Sequence, residues 1–169
     1  LHVARPVALA KAHMSSGTFL PTEGNVFLSV QDDDQPKIVE IGRELVSMGF
    51  TVFTTEGTHD LLKAHAIDTI ELRKISEGAR PNILDKISNG EVHLIINTPT
   101  RKGAHTDEGR IRAMAVSHRV PMITTTNGAR TAVQAIAALR AGAWSVTALQ
   151  DCFPHLVRER KEALETVGA

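Results

Sequence analysis

The sequence predicts a doubly wound α/β domain, a parallel sheet of about five strands with helices on both faces. Three observations point there. Short β-rich runs alternate with helical runs and tight turns along the chain, the pattern of repeated βαβ units. The run 92–96 is continuous and apolar, as a parallel strand buried on both faces must be. Small polar turns follow three strand-like runs, at Thr54-Thr55-Glu56-Gly57-Thr58, Asn97-Thr98 and Thr124-Thr125-Thr126-Asn127-Gly128. These are the carboxyl ends of strands, where open α/β sheets bind their ligands.

Taken in order, residues 1–24 read as a connector: a short helix over 4–13, then linker and turn residues Ser15-Ser16-Gly17 and Pro21-Thr22-Glu23-Gly24. A first strand spans 25–30. Pro36 suits a first helical turn, Ile38, Ile41, Leu45 and Met48 recur at helical spacing, and Gly49 stops the helix. A second strand is expected at 51–54, a short helix near 59–65 and a third strand at 69–72. A helix over 82–88 ends at Asn89-Gly90, and the strand at 92–96 follows. The helix 107–118 puts Ile111, Met114 and Ala115 on one face. Residues 121–124 form a fifth strand, and an Ala-rich helix over 127–141 ends at Gly142. Residues 143–149 read as a sixth strand or edge segment, and 157–165 as a charged terminal helix. The layout is flavodoxin-like, with a ligand-binding domain over 25–150 and a helical tail over 151–169.

At 169 residues the chain can bury a full core. Its 19 basic and 19 acidic residues balance, so no global field draws it to nucleic acid or a membrane, and any anion site has to be local. Neither a membrane-spanning run nor a signal-peptide pattern is visible. The single Cys152 excludes an internal disulfide framework and fits a reducing cytoplasm. The chain opens on Leu1 rather than Met, as a piece of a longer protein would.

A phosphate needs several N–H and O–H donors with one or two cations. Thr55, Gly57 and Thr58 supply the donors beside a helix start, and Lys37 and Lys74 follow strands closely enough to supply the charge. Asn97 ends the central strand, and Thr124, Thr125, Thr126 and Asn127 precede Gly128. Each has a plain structural alternative: surface lysines, a strand-ending Asn, a helix N-cap. Metal chemistry is not expected, since His59, His65, His93, His105 and His118 stand in no ligand spacing. Asp32-Asp33-Asp34 reads as a solvated turn. A Walker loop, a dinucleotide fingerprint and a nucleophile elbow are all missing.

The order of these pieces resembles the methylglyoxal-synthase-like domains, most closely those at the C-terminus of carbamoyl phosphate synthetase large chains. The residues that carry the likeness are Gly24 to Val30, Thr55-Glu56-Gly57-Thr58, Lys74-Ile75-Ser76-Glu77-Gly78-Ala79-Arg80-Pro81, Ile95-Ile96-Asn97-Thr98-Pro99-Thr100 and Thr124-Thr125-Thr126-Asn127-Gly128. The likeness covers about residues 1–150, with Arg5 to Leu20 similar to the segment leading in from the second ATP-using half.

The resemblance implies an allosteric domain that catalyses nothing itself. Lys37, Thr55, Thr58, Lys74 and Asn97 would hold the phosphate of a regulatory nucleotide. Asp107, Gly109, Arg110 and Ile111 would lie near its base and ribose, with Thr124, Thr125 and Asn127 closing the pocket. In the bacterial family the effectors are UMP, an inhibitor, and IMP, an activator. No cofactor is implied for the domain. The parent would use ATP with Mg or Mn and a small glutamine-amidotransferase subunit to make carbamoyl phosphate for pyrimidine and arginine synthesis. One departure is Pro99 where the family places a hydroxyl, with Thr100 beside it.

The alternatives are methylglyoxal synthase, acting on dihydroxyacetone phosphate, and a fold-sharing domain of purine synthesis, which would need a further transformylase domain. The synthase takes a carbon-bound proton with a carboxylate in a Gly-Gly-Asp stretch. Here that stretch is Gly78-Ala79-Arg80-Pro81, and a guanidinium cannot act as a base. His105 and Glu108 lie near the synthase's other acid–base positions, but they do not replace the missing base.

Overall fold

The computed structural model of the protein describes residues 19–31, 34–98 and 106–142. The expected helix 4–13, the possible strand 143–149 and the helix 157–165 lie outside them, as do Asp32, Asp33, Pro99, Thr100 and His105. Five parallel strands form one sheet: β1 (Asn25–Ser29), β2 (Thr51–Thr54), β3 (Ile70–Glu71), β4 (Leu94–Asn97) and β5 (Met122–Ile123), in the order β3-β2-β1-β4-β5. Between and after them run α1 (Gln35–Ser47), α2 (Glu56–Ala64), α3 (Ile83–Ser88), α4 (Asp107–Ser117) and α5 (Thr126–Arg140). The doubly wound five-stranded sheet is as the sequence predicts. Its strand order is not that of flavodoxins, which inserts the third strand between the first and the fourth.

Alternation along the strands splits the core into two layers. Val26 and Leu28 of β1 and Leu94 and Ile96 of β4 pack with Ile38, Ile41 and Leu45 of α1, Leu62 of α2, and Val133 and Ile136 of α5. Phe27 and Ile95, on the opposite face of the same strands, pack with Ile83 and Ile87 of α3 and Ile111 and Ala115 of α4. Because both faces are covered, every residue of β4 is buried, and Leu94–Ile96 reads as an apolar run ahead of Asn97. Leu20, from the stretch read as connector, is also buried in the first layer.

Helix boundaries follow their punctuation. Pro36 sits in the first turn of α1, and Gly49, at φ 83°, follows its C-cap Met48. The helix expected near 59–65 starts earlier, at Glu56, so the polar turn after β2 is itself the first turn of α2. The third strand shrinks to Ile70–Glu71, both exposed, and β3 is an edge of the sheet.

At the amino ends of the strands the polar groups are matched to one another. Asn25 N–H donates to His93 Nδ1 at 3.0 Å, and its side-chain amide donates to the Glu91 carbonyl at 2.7 Å. Gly24 has φ 107°, and a Cβ there would stand 2.6 Å from the His93 ring, so both backbone angle and space require glycine. Lys86 Nζ lies 2.5 Å from Glu91 Oε2 and 5.4 Å from the centroid of the Phe53 ring. Hydrogen bonds from Lys86 and then Asn89 hold the Glu91 carboxyl below the ordinary carboxylate range.

Candidate functional site

At the carboxyl ends of the strands lies a cavity of about 630 Å³. The sheet order explains its position. From β1 the chain winds outward to β2 and β3, then returns to β4 on the other side of β1, so the switch point falls between β1 and β4. Ser29 and Asn97 are register partners across that point, and both line the cavity.

Besides Asn97 of β4 and Ile83 of α3, the walls come from four segments. Ser29, Val30 and Gln31 follow β1, and Gln35 opens α1. Thr55, Gly57 and Thr58 form the turn from β2 into α2. Arg73, Lys74 and Ser76 follow β3, and Thr106, Asp107, Glu108 and Ile111 belong to the start of α4.

The turn after β2 is built to leave donors available. Thr55 is the N-cap of α2, yet its side chain makes no cap bond to its own helix. Its hydroxyl instead shares a 3.0 Å hydrogen bond with Ser29 Oγ, and Thr58 Oγ1 accepts from Val30 N–H at 3.4 Å. These bonds tie α2 to the end of β1 and leave the first-turn amides of a nine-residue helix without a side-chain cap. Such a terminus carries a partial positive charge and favours an anion. Asp34 likewise makes no side-chain cap bond to α1, whereas Asn82 and Asp85 make a full capping box on α3, Thr106 caps α4 through Gly109 N–H at 3.1 Å, and Thr125 caps α5 through Gly128 N–H at 3.1 Å.

Asn97 is the second signal. It is 3% exposed, and its Nδ2 is the one buried side-chain polar atom without a hydrogen-bond partner among the described residues. An unmet buried donor costs about 1–3 kcal/mol, so its persistence at a cavity wall calls for a reason outside the fold. Charge completes the set: Arg73 and Lys74 stand on one wall, Asp107 and Glu108 on another. Lys74 Nζ is 3.8 Å from Glu56 Oε2, and Asp107 Oδ2 accepts the Ser76 N–H at 3.1 Å. Together the walls offer cations, N–H donors and carboxylate acceptors. That suits a ligand with an anionic group and a hydrogen-bond-donating group.

Of the residues singled out from the sequence, Thr55, Thr58, Lys74, Asn97, Asp107 and Ile111 line this cavity. Lys37, Gly109, Arg110, Thr124, Thr125 and Asn127 are not on its wall among the described residues. Lys37 is paired with Asp34 at 3.4 Å, Arg110 and Thr124 are exposed, and the Thr125 hydroxyl is engaged as a cap. Sequence reading missed Ser29, Gln31, Gln35, Arg73, Ser76 and Thr106 as wall residues. Ser29 and Gln31 were within reach of the same logic, as the first polar residues past a buried strand. Thr106 and Ser76 carry no local signal.

A parallel sheet with a donor-rich crevice at its switch point defines an α/β domain of the doubly wound class, and comparison gives its family. The model of the MGS-like domain matches residues 37–124, over half of the chain, and the chain belongs to this family. It is 43% identical over 144 residues to the carbamoyl phosphate synthase large chain of Rhodopirellula baltica, covering 85% of this chain and 13% of that one. To the C-terminal section of the large chain from Aquifex aeolicus it is 42% identical over 134 residues, covering 79% of this chain and 25% of that one. The C-terminal section from Methanocaldococcus jannaschii is 44% identical over 144 residues, covering 85% and 23%. The chain thus spans a quarter or less of the length of these curated relatives. Among solved structures, the methylglyoxal synthase of Elizabethkingia anophelis shares its fold, with a TM-score of 0.56 at 15% identity over 68% of this chain and 79% of that one.

Proposed function

We propose that this chain is the effector-binding regulatory domain of a carbamoyl phosphate synthase large chain, taking UMP, IMP or both in the cavity at the switch point. The observation that carries the reading is a convergence. The α2 terminus without a side-chain cap, the Lys74 ammonium and the unpartnered Asn97 amide all meet one cavity. The phosphate would sit on that group, with Thr55 and Thr58 as hydroxyl donors, and the base and ribose would extend toward Asp107 and Ile111. Lys37, Gly109, Arg110, Thr124, Thr125 and Asn127 would act only if the ligand reached beyond the described wall.

Regulation then follows from linkage. An effector shifts its parent only by binding two of its conformations with different affinity. The parent would join glutamine-derived ammonia, bicarbonate and ATP, with Mg or Mn, in the cytoplasm, and the effector would report on the pyrimidine and purine pools. Its partners would be the catalytic domains of the same large chain and, through them, the small amidotransferase subunit.

The synthase alternative has no support at its base position. Arg80 is exposed, pairs with Asp85 at 3.4 Å and is not on the cavity wall. Calorimetric titration with UMP, IMP and inorganic phosphate tests the proposal. Saturable nucleotide binding clearly tighter than phosphate is the expected result. Turnover of dihydroxyacetone phosphate, with no nucleotide binding, would replace the reading with the synthase.

A further inference from the structure

We infer that Glu56 is an internal competitor for the anion site, and that it sets how tightly the cavity holds a phosphate. The inference rests on the reading that this cavity takes one. Lys74 is a cation of the wall, and the chain supplies its own carboxylate to that ammonium: Glu56 Oε2 stands 3.8 Å from Lys74 Nζ. Glu56 is also the first residue of α2, so its charge is anchored to the turn whose amides border the cavity.

Two effects oppose each other at this position. A carboxylate in the first turn favours the helix through its dipole. The same carboxylate offsets the positive potential that the turn and Lys74 present to an anion. The side chains of Lys74 and Glu56 are 47% and 64% exposed, so their pair is weak and exchangeable. A phosphate dianion, with more charge and more acceptor atoms, takes the ammonium from it. The displaced carboxylate cannot diffuse away. Held by the helix backbone, it remains within a few ångströms and repels the ligand it gave way to.

Asp107 offers a parallel. Its Oδ2 accepts the Ser76 N–H at 3.1 Å, so the segment after β3 meets one carboxylate from α2 and one from α4. Of these two carboxylates, Glu56 is the one that engages the cation. Its removal therefore strengthens anion binding, whereas removal of Asp107 would loosen the segment.

Glu56→Gln keeps the side-chain length and deletes the charge. Inorganic phosphate and UMP are titrated into the full chain as wild type, E56Q and E77Q. Glu77 is an exposed acid in the turn after Lys74 and corrects for net charge alone. The expected result is phosphate and UMP affinity raised about three- to fivefold in E56Q, narrowing at high salt, with E77Q like wild type. Wild-type binding that E56Q does not tighten would overturn the competitor and leave the phosphate site standing. An equal gain in E77Q would also overturn it, by assigning the effect to overall charge. No binding of either ligand by any of the three would overturn the site and the competitor together.

Discussion

The two ends of β1 and β4 treat polar groups in opposite ways. At their amino ends, Asn25, Glu91, His93, Lys86 and Asn89 satisfy one another in a closed set of hydrogen bonds and an ion pair. At their carboxyl ends, Ser29 and Thr55 pair, but the Asn97 amide has no partner and the first turn of α2 has no side-chain cap. The strands are the same, so the difference is not one of fold class; the matched set is half-buried or exposed, whereas Asn97 is buried. Matched groups hold the sheet in register. Unmatched ones cost stability, and a bound ligand would satisfy them.

Substitutions should separate the two ends. Lys74→Ala is expected to have the largest effect at the cavity, lowering nucleotide affinity about ten- to hundredfold while leaving Tm within a degree or two, since the side chain is exposed. Calorimetry with parallel thermal melts reads both quantities. At the other end, Gly24→Ala should cost about 1–3 kcal/mol through its left-handed φ and the His93 ring, with affinity unchanged in the folded fraction. Urea melts measure it, and a neutral result would remove the steric argument.

Asn97→Ala and Asn25→Ala make the sharpest pair. The first should lower nucleotide affinity about five- to tenfold and hold or slightly raise stability, because it deletes an unmet buried donor. The second should cost about 1 kcal/mol of stability and leave affinity alone. A reversed outcome would erase the contrast.

The smallest expected effect is at Glu91. Its carboxyl titrates lower in the folded chain than in the unfolded one, so its contribution is present above the ordinary carboxylate pKa and is lost as pH falls through the depressed value. Glu91→Gln should therefore lower Tm modestly at pH 7 and flatten the fall in Tm on acidification below about pH 4. Equal acid sensitivity in variant and wild type would contradict the assignment.

Much of this architecture was legible in the residues. Ile38, Ile41 and Leu45 announced a buried helical stripe, and the run before Asn97 announced a central strand, because periodicity reports burial directly. The turn Thr55-Glu56-Gly57-Thr58 and the lysine after β3 gave donors of the cavity wall. Strand order and the facing of the α4 start toward that turn were not legible, since both are set by contacts between segments far apart in sequence. Thr125 shows an ambiguity: a hydroxyl before a helix reads equally as cap or ligand donor, and its bond to Gly128 N–H shows the cap without deciding the other role. The unmet Asn97 amide is a property of its surroundings, which no local pattern encodes.

The most direct test of the central claim is a residue-resolved NMR titration of the chain with UMP. The account predicts that the Asn97 side-chain amide shifts together with the backbone amides of Gly57 and Thr58, while Asn25 and His93 stay still. Perturbations confined to the amino ends of the strands, or none at all at saturating UMP, would contradict it.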